Sequence, residues 1–288
     1  MLFSNGERHM KIKSWEVSDS FWAIVEPLIP NPVRSREKEY IRKVGGGRKP
    51  IAPRTVFAGI VYVLRTGIQW KALSKAIFGS PSAIHRYFRE WERRGFFQEL
   101  WERGLSEYDD MEGIAWRWQA IDGGMYKAPL ARESSGANPT DRGKKRKQTA
   151  PACGRTWGVP LSIVVTGANR HDASQLEAVL SGKIVEPIMQ NEEENLCADA
   201  AFAGDEPKQK MIAAGYTPHV RPRGEEKLEK VRNLNFKARR WVVEASHSWF
   251  NRFRKLIIRY EKLDATHLAL LHLAAAIIAL RKIGIIYG

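Results

Sequence analysis

The stretch Arg239-Arg240-Trp241-Val242-Val243-Glu244 continues through Trp249-Phe250-Asn251-Arg252-Phe253-Arg254. At 100° per residue it predicts one long helix with two chemically different faces. The apolar face carries Val242, Val243, Trp249, Phe250, Phe253, Leu256, Ile257 and Tyr260, and the opposite face carries Arg240, Glu244, His247, Asn251 and Arg254. Glu244 is the one acid in a row of cationic and amide donors. Such a helix is suited to present a single carboxylate to a phosphate-rich ligand.

Upstream of this helix, short apolar runs alternate with helical segments. The predicted strands are 114–121, 161–166, 195–198 and 216–220, and the predicted helices between them are 173–180 and 206–213. Strands that alternate with helices favour an α/β domain. We therefore expect an α/β domain over residues 111–288. Inside it, the basic segment 131–157 has no periodicity and is predicted to be a loop.

The first 110 residues are predicted to be a separate all-α domain. Helices are expected from Ser18 or Asp19 to Leu28, and over 53–65, 70–78, 82–94 and 97–105. The turn Gly79-Ser80-Pro81 between two of them gives the outline of a helix-turn-helix. A basic, glycine-rich linker at 34–50, which contains Arg48 and Lys49, could follow a phosphate backbone or be a solvated loop.

The second helix of this motif divides into two faces. Ile84, Phe88 and Trp91 form an apolar stripe, whereas the cationic residues point the other way. These are His85, Arg86, Arg89 and Arg93. A recognition helix needs donors toward the DNA groove and apolar side chains toward its own domain. The alternative is an ordinary amphipathic helix with a basic face.

Composition favours an anionic partner. The 288 residues carry a formal net charge of +15 and the sequence pI is near 9.9, which indicates nucleic acid most directly. Cys153 and Cys197 match no zinc spacing, so we expect a reducing, cytoplasmic setting. The apolar run 268–280 is short for a bilayer and predicts a buried C-terminal helix, so no membrane association is expected.

Three acids could provide a metal site. Asp122 and Asp199 each follow a predicted strand, and Glu244 lies on the polar face of the long helix. Oxygen ligands of this kind suit Mg²⁺ or Mn²⁺, and a pair of such ions stabilises the attacking and leaving oxygens of a displacement at phosphorus. The alternative is structural: Asp122 and Asp199 as caps, and Glu244 as a partner of Arg240 one helical turn earlier.

Several motifs resemble those of the DDE transposases of bacterial insertion sequences, in particular the insertion-sequence-five group. The resemblance runs from about residue 22 to residue 283. Its most specific parts are Ile121-Asp122-Gly123, Gly167-Ala168-Asn169-Arg170-His171-Asp172, Asp199-Ala200-Ala201-Phe202 and the Arg-x-x-x-Glu spacing of Arg240 and Glu244. The segments Gly47-Arg48-Lys49-Pro50, Tyr62 to Gly67, Asn138 to Gly143 and Leu270 to Ala276 also match.

The resemblance implies a ribonuclease-H-like core in which Asp122, Asp199 and Glu244 bind two Mg²⁺ or Mn²⁺ ions. Enzymes of this family cut transposon ends and join the exposed 3′-hydroxyls to target DNA, and they are expected to work as homodimers or higher oligomers on double-stranded DNA. Two departures are evident: Lys237 stands where related families carry Tyr, and 144–156 differs from close relatives. We expect Asp172, the nearest rival acid, to be structural.

Three functional hypotheses follow. The leading one is a metal-dependent DNA transposase, nucleoid-associated in a bacterial cytoplasm, that recognises terminal inverted repeats through its helix-turn-helix. The DNA-binding candidates are Arg48, Lys49, His85, Arg86, Arg89, Arg93, Arg240 and Arg254. The second is a transposase-derived DNA-binding regulator that does not cleave. The third is a simple endonuclease, which strand transfer would distinguish from the first.

Overall fold

The amino-terminal half of the chain is a small helical assembly. The computed structural model describes residues 15–31, 49–133, 136–137, 145–154, 158–187, 193–220 and 241–286. Its first helices are α1 (Asp19–Val25), α2 (Pro53–Thr66), α3 (Lys75–Phe78), α4 (Pro81–Arg93) and α5 (Phe96–Met111), with 3-10 turns at Glu26–Leu28 and Trp70–Ala72. Ser18, one of the two residues at which this helix was expected to start, caps α1, because its hydroxyl accepts a hydrogen bond from the Phe21 amide at 3.2 Å.

A mixed sheet forms the second half. Its strands are β1 (Trp118–Ile121), β2 (Gly124–Lys127), β3 (Gly136–Ala137), β4 (Lys145–Gly154), β5 (Pro160–Gly167), β6 (Glu194–Ala198) and β7 (Tyr216–Val220). The main order is β5–β4–β1–β6–β7, and β2 and β3 also pair with β4. β4 is antiparallel to β1 and β5, whereas β6 is parallel to β1 and β7 is parallel to β6. This arrangement confirms the predicted α/β, ribonuclease-H-like core.

Helices cover both faces of the sheet. The described helices of this part of the chain are α6 (Leu176–Ser181), α7 (Asp205–Ala213), α8 (Trp241–Phe250), α9 (Arg254–Ile257) and α10 (Asp264–Lys282). Of these, the short helix α9 packs against α2. Ile121 and Leu196 pack with the apolar residues of α6 and α7 on one face. Ala120 and Cys197 pack with Val242 and Val243 of α8 on the other. The alternation of side chains along β1 and β6 produces this two-sided burial.

The last helix closes a core that both halves share. Helix α10 packs along α5, and a Cβ on Gly104 of α5 would lie 3.4 Å from the Ala276 carbonyl oxygen of α10. Among the described helices, α10 alone is long and apolar enough to cross a membrane, and 78% of its apolar window is buried in the protein. The prediction of a buried C-terminal helix is confirmed. The proposed division near residue 110 stays a prediction.

Two sequence predictions were wrong in their local structure. Residues 145–154 lie in strand β4 rather than in a loop, because both edges of this segment pair with neighbouring strands. The predicted long helix ends at Phe250, where the amides of Arg252 and Phe253 bond to carbonyls only three residues earlier. Phe253 then takes an extended conformation and is buried in the shared core. Packing of this ring therefore outweighs helical periodicity.

His272 of α10 makes the fold sensitive to acid. Its ring lies 5.0 Å from that of Trp101, and burial lowers the pKa of His272 from 6.5 to about 4. The unfolded chain therefore takes up this proton at higher pH than the folded chain does. The stability that neutral His272 contributes is complete above pH 6.5 and is lost as the pH falls from 6.5 toward 4.

We expect the free energy of unfolding to fall by about 2 kcal/mol between pH 7 and pH 5 because of this group alone. Urea titrations at several pH values would measure the slope, and the His272→Gln variant should show a flatter one. Equal slopes for the parent and His272→Gln would contradict the assignment, because all other titrating groups are common to the two proteins.

Candidate active site on the sheet

The carboxyl ends of two neighbouring parallel strands bring Asp122 and Asp199 together. Strand β1 pairs with β6 in a register that places Trp118 opposite Asn195 and Ala120 opposite Cys197. Continued by two residues, the same register places Asp122 opposite Asp199. Neighbouring strands lie about 4.8 Å apart, so these two carboxylates share one small region at the strand ends.

Both aspartates lie on the sheet face that α8 covers. Side chains alternate along a strand, so Asp122 follows Ala120 and Asp199 follows Cys197 on the same face. Ala120 and Cys197 contact Val242 and Val243 of α8. Glu244 is the next residue of this helix and is exposed. The three predicted acids therefore come from the same side of the sheet.

Two glycines allow α8 to approach the sheet closely. A Cβ on Gly158, where φ is +65°, would lie 2.6 Å from the Val242 carbonyl oxygen, and the buried Ser246 hydroxyl donates to the Gly158 carbonyl. A Cβ on Gly124 would lie 2.6 Å from Cε1 of His247. Larger residues at either glycine would push the helix away from the sheet. The local sequence thus fixes the height of Glu244 above β1.

Backbone amides hold one oxygen of each aspartate. Oδ1 of Asp122 accepts a hydrogen bond from the Gly123 amide at 2.8 Å. Oδ1 of Asp199 accepts one from the Ala201 amide at 2.8 Å and so caps the 3-10 turn Ala200–Phe202. The structural alternative of a capping role for Asp199 is thereby correct for one oxygen. Such bonds orient a carboxylate without excluding a ligand at the other oxygen.

Asp172 is a fourth carboxylate of this region, although its sequence context led us to expect a structural role. Burial, and then the charges of Asp199 and Asp122, raise the pKa of Asp172. Its Oδ1 atom is buried and has no hydrogen-bond partner in the part of the chain that the structure describes. Two features of the sequence could have indicated this location. Asp172 follows soon after β5, and it ends the motif that includes His171. Carboxylates that crowd together in this way favour a bound cation.

His247 of α8 is close enough to Asp122 and Glu244 to be affected by the charges of both. Burial lowers the pKa of His247, while the charges of Asp122 and Glu244 oppose that shift. The Nε2 atom is buried, and none of the described residues forms a hydrogen bond with it. Helical periodicity placed this residue on the polar face of the helix, and no role was predicted for it. The structure turns it toward Gly124, close to Asp122 in the chain.

The carboxylate oxygens of this region are suitable ligands for a divalent cation. Asp122, Asp199, Asp172 and Glu244 offer hard oxygen ligands, the type that Mg²⁺ and Mn²⁺ prefer. The buried Oδ1 of Asp172 has no partner among the described residues, and a cation bound beside it would supply one. Over the described parts of the chain, no three His, Cys, Asp or Glu side chains already stand at metal-binding distances. Binding would therefore require movement of side chains.

The predicted DNA-binding residues are distributed over several surfaces. On α4, Ile84, Phe88 and Trp91 are buried as predicted, while Arg86 and Arg93 are exposed and Arg89 is half-buried. His85 was expected to face outward, but its ring lies 4.9 Å from that of Trp70 and stacks near Phe88. Apolar contact holds it against the domain. Lys49 and Arg254 are exposed, and Arg48 and Arg240 lie outside the described residues.

Two family models match the chain. The model of IS4/5-family transposases matches residues 17–101, and that of the transposase DDE domain matches residues 196–281, a range that includes Asp199 and Glu244. An insertion element IS402 protein of Burkholderia cepacia, named an uncharacterized 16.2 kDa protein, is 31% identical over 124 residues, covering 43% of this chain and 80% of that protein. The chain belongs to the insertion-sequence DDE transposases.

The chain is also similar to a further relative and to two solved structures. The IS402 transposase sequence of Burkholderia cepacia is 30% identical over 156 residues, covering 51% of this transposase and 69% of the relative. The pre-cleavage Mos1 transpososome has a TM-score of 0.29 at 10% identity, covering 88% of this chain and 83% of that one. The Mos1 mariner catalytic domain has a TM-score of 0.28 at 10% identity, covering 69% and 96%. Scores this low add nothing to the assignment.

Proposed function

We propose that this transposase binds the terminal inverted repeats of its insertion sequence, cleaves the ends and joins the 3′-hydroxyls to target DNA in the bacterial nucleoid. One observation carries the proposal. The parallel register of β1 and β6 brings Asp122 and Asp199 to the same strand ends, on the face covered by the helix that carries Glu244.

In this proposal Asp122, Asp199 and Glu244 hold two divalent ions, Mg²⁺ or Mn²⁺. When bound, such ions stabilise the charges of the attacking and leaving oxygens during displacement at phosphorus. The backbone amides of Gly123 and Ala201 keep the two aspartates oriented toward the ligand. Glu244 approaches from α8, which Val242 and Val243 fix on the sheet.

The helical half supplies the DNA recognition in this proposal. Arg86, Arg89 and Arg93 of α4 contact the terminal repeat, while Ile84 and the aromatic residues behind it keep the helix on its domain. Contacts of cationic side chains with phosphates release counterions, so binding weakens steeply as salt rises. Two ends must be held together during transposition, which favours a homodimer or a higher oligomer on double-stranded DNA.

A strand-transfer assay tests the function. A labelled, pre-cut transposon end and a target plasmid are incubated with Mg²⁺ or Mn²⁺ and with the parent, Glu244→Gln or Glu177→Gln. Glu177 is an exposed acid of α6 on the opposite face of the sheet, so it is a control of matched charge. We expect joined product from the parent and from Glu177→Gln, none from Glu244→Gln, and none after chelation of the metal.

The other outcomes separate the alternatives. Tight binding of the end with neither cleavage nor joining, under both metals, would identify a DNA-binding regulator. Cleavage of an uncut end without joining would identify a simple endonuclease. Joining by Glu244→Gln at the parent rate would remove Glu244 from the site.

A further inference from the structure

A pocket lined by arginines lies away from the acids, where α2 meets the turn after α8 and the end of α10. Its volume is about 370 Å³, and its lining residues are Trp15, Arg65, Thr66, Arg252, Arg254 and Arg281. We call these residues the arginine pocket. A neighbouring cavity shares Arg252 and Arg281 and adds Lys282. Among the described residues, no acid lines either cavity.

The deepest residue of the arginine pocket is Arg65, which is only 7% exposed. Its guanidinium carbon lies 4.3 Å from the centroid of the Phe253 ring, and its Nε atom has no hydrogen-bond partner among the described residues. Within the part of the chain that the structure describes, no carboxylate forms an ion pair with any of the four arginines of the pocket. A buried guanidinium without a counter-charge is costly, so this arrangement demands an anion.

The charges of the pocket also repel one another. Burial, then Arg281 and Arg252, lower the pKa of Arg65 to about 9, so Arg65 remains charged at neutral pH. Burial and Arg252 lower the pKa of Arg281 as well. A surface patch of solvated cations would relieve such repulsion by turning outward. Arg65 is held inward by its packing on Phe253. Since no described carboxylate offsets these charges, a bound anion would relieve the repulsion.

The backbone brings one more arginine into place. Gly67 follows α2 with φ at +73°, and a Cβ there would lie 3.0 Å from Cβ of Arg254 and 3.1 Å from its carbonyl carbon. This close approach sets Arg254 of α9 beside the end of α2. Arginine carries planar donor pairs that match the oxygens of a phosphate group.

We propose that the arginine pocket is a phosphate-binding site, and that in the working protein it holds a backbone phosphate of transposon DNA. The DNA part rests on the proposed function; the affinity for phosphate does not. The pocket would thereby fix the DNA at the junction of the helical half and the sheet. This contact would act in addition to those of α4. Because it is made to a phosphate, it would position the DNA without reading its base sequence.

Inorganic phosphate tests the site without DNA. We expect phosphate to raise the melting temperature of the parent in a saturable manner, because a ligand bound only by the folded state stabilises it. The double variant R252Q/R281Q should lose this shift. It leaves buried Arg65 in place and removes two more accessible cations. The control K208Q/R117Q removes two exposed cations elsewhere and should keep the shift.

Terminal DNA tests the assignment to a backbone phosphate. Binding of a labelled end duplex is measured by fluorescence anisotropy over a series of salt concentrations. For R252Q/R281Q the slope of log K against log salt should fall by roughly one for each phosphate that the variant no longer neutralises. The control variant should keep the slope of the parent. A neutral methylphosphonate is moved along the duplex. Among the positions at which it weakens binding by the parent, one should lose its effect in R252Q/R281Q.

The results separate the pocket from the proposed function. No phosphate-dependent shift in the parent, or an equal shift in R252Q/R281Q, would overturn the proposal even if the parent joins DNA ends. A shift that R252Q/R281Q abolishes, with no change in DNA binding, would overturn the DNA part and assign the pocket to free phosphate. A shift that R252Q/R281Q abolishes while the parent joins no ends would support the pocket and reject the proposed function.

Discussion

Replacement of Asp199 by Asn, or of Asp122 by Asn, should reduce strand transfer by on the order of a thousandfold. Each change removes one negative ligand of the proposed ions, and metal ions at such sites contribute several kcal/mol of transition-state stabilisation, of which each ~1.36 kcal/mol is tenfold in rate. The backbone bonds that now orient each aspartate can be kept, because an Asn side-chain oxygen also accepts from the Ala201 or Gly123 amide. The folded structure should therefore survive.

The assay for this prediction is single-turnover joining of a pre-cut end at saturating protein. The control is Asp205→Asn, because Asp205 is an exposed acid at the start of α7 on the opposite side of the sheet. Binding of the end in the absence of metal should be equal in all four proteins. If Asp199→Asn joined ends within about tenfold of the parent rate, neither a metal site at the strand ends nor the role of Asp199 could stand.

Replacement of Glu261 by Gln should lower the free energy of unfolding by about 3–5 kcal/mol. The Glu261 carboxylate lies 3.3 Å from Nζ of Lys255, and the two side chains are only 7% and 4% exposed. The same oxygen, Oε1, accepts a hydrogen bond from Nε1 of Trp70 at 3.2 Å. Gln can keep the bond to Trp70 but leaves the ammonium of Lys255 buried without a counter-charge. Loss of that charge is the reason for the large effect.

Urea unfolding measures this change. The control is Glu107→Gln, which breaks the surface pair with Arg103 and should cost at most about 1 kcal/mol. The double variant K255M/E261L should recover most of the stability, because apolar pairs of similar volume often replace buried ion pairs well. A cost for Glu261→Gln no greater than that of the control would show that water reaches this pair.

The strands that could be predicted from the sequence are those whose own residues favour an extended conformation. β5, β6 and β7 are rich in apolar and β-branched residues, and the structure places them within one residue of the predicted bounds. β4 was missed because Lys-rich residues and Pro151 disfavour a strand locally. Its hydrogen bonds come from β1 and β5, partners that lie outside the segment.

The candidate site was predictable only in part, for a similar reason. Asp122 and Asp199 could be located because each follows a recognisable strand. Their proximity depends on the pairing of β1 with β6, which joins residues 77 positions apart and leaves no local pattern. The place of Asp172 depends on how the chain returns after β5. The prediction that His85 faces outward was wrong. Trp70 covers that face of α4, and it lies outside the helix whose periodicity was used.

The pairing of α5 with α10 has a consequence for how the chain is made. α5 ends at residue 111 and α10 begins at residue 264, so the ribosome must add more than 150 residues before the two can meet. At bacterial rates of synthesis this takes roughly 8–30 seconds. Throughout that interval the nascent helical half exposes the apolar surface that α10 later covers. Chains released early would keep that surface exposed, which favours their aggregation and removal.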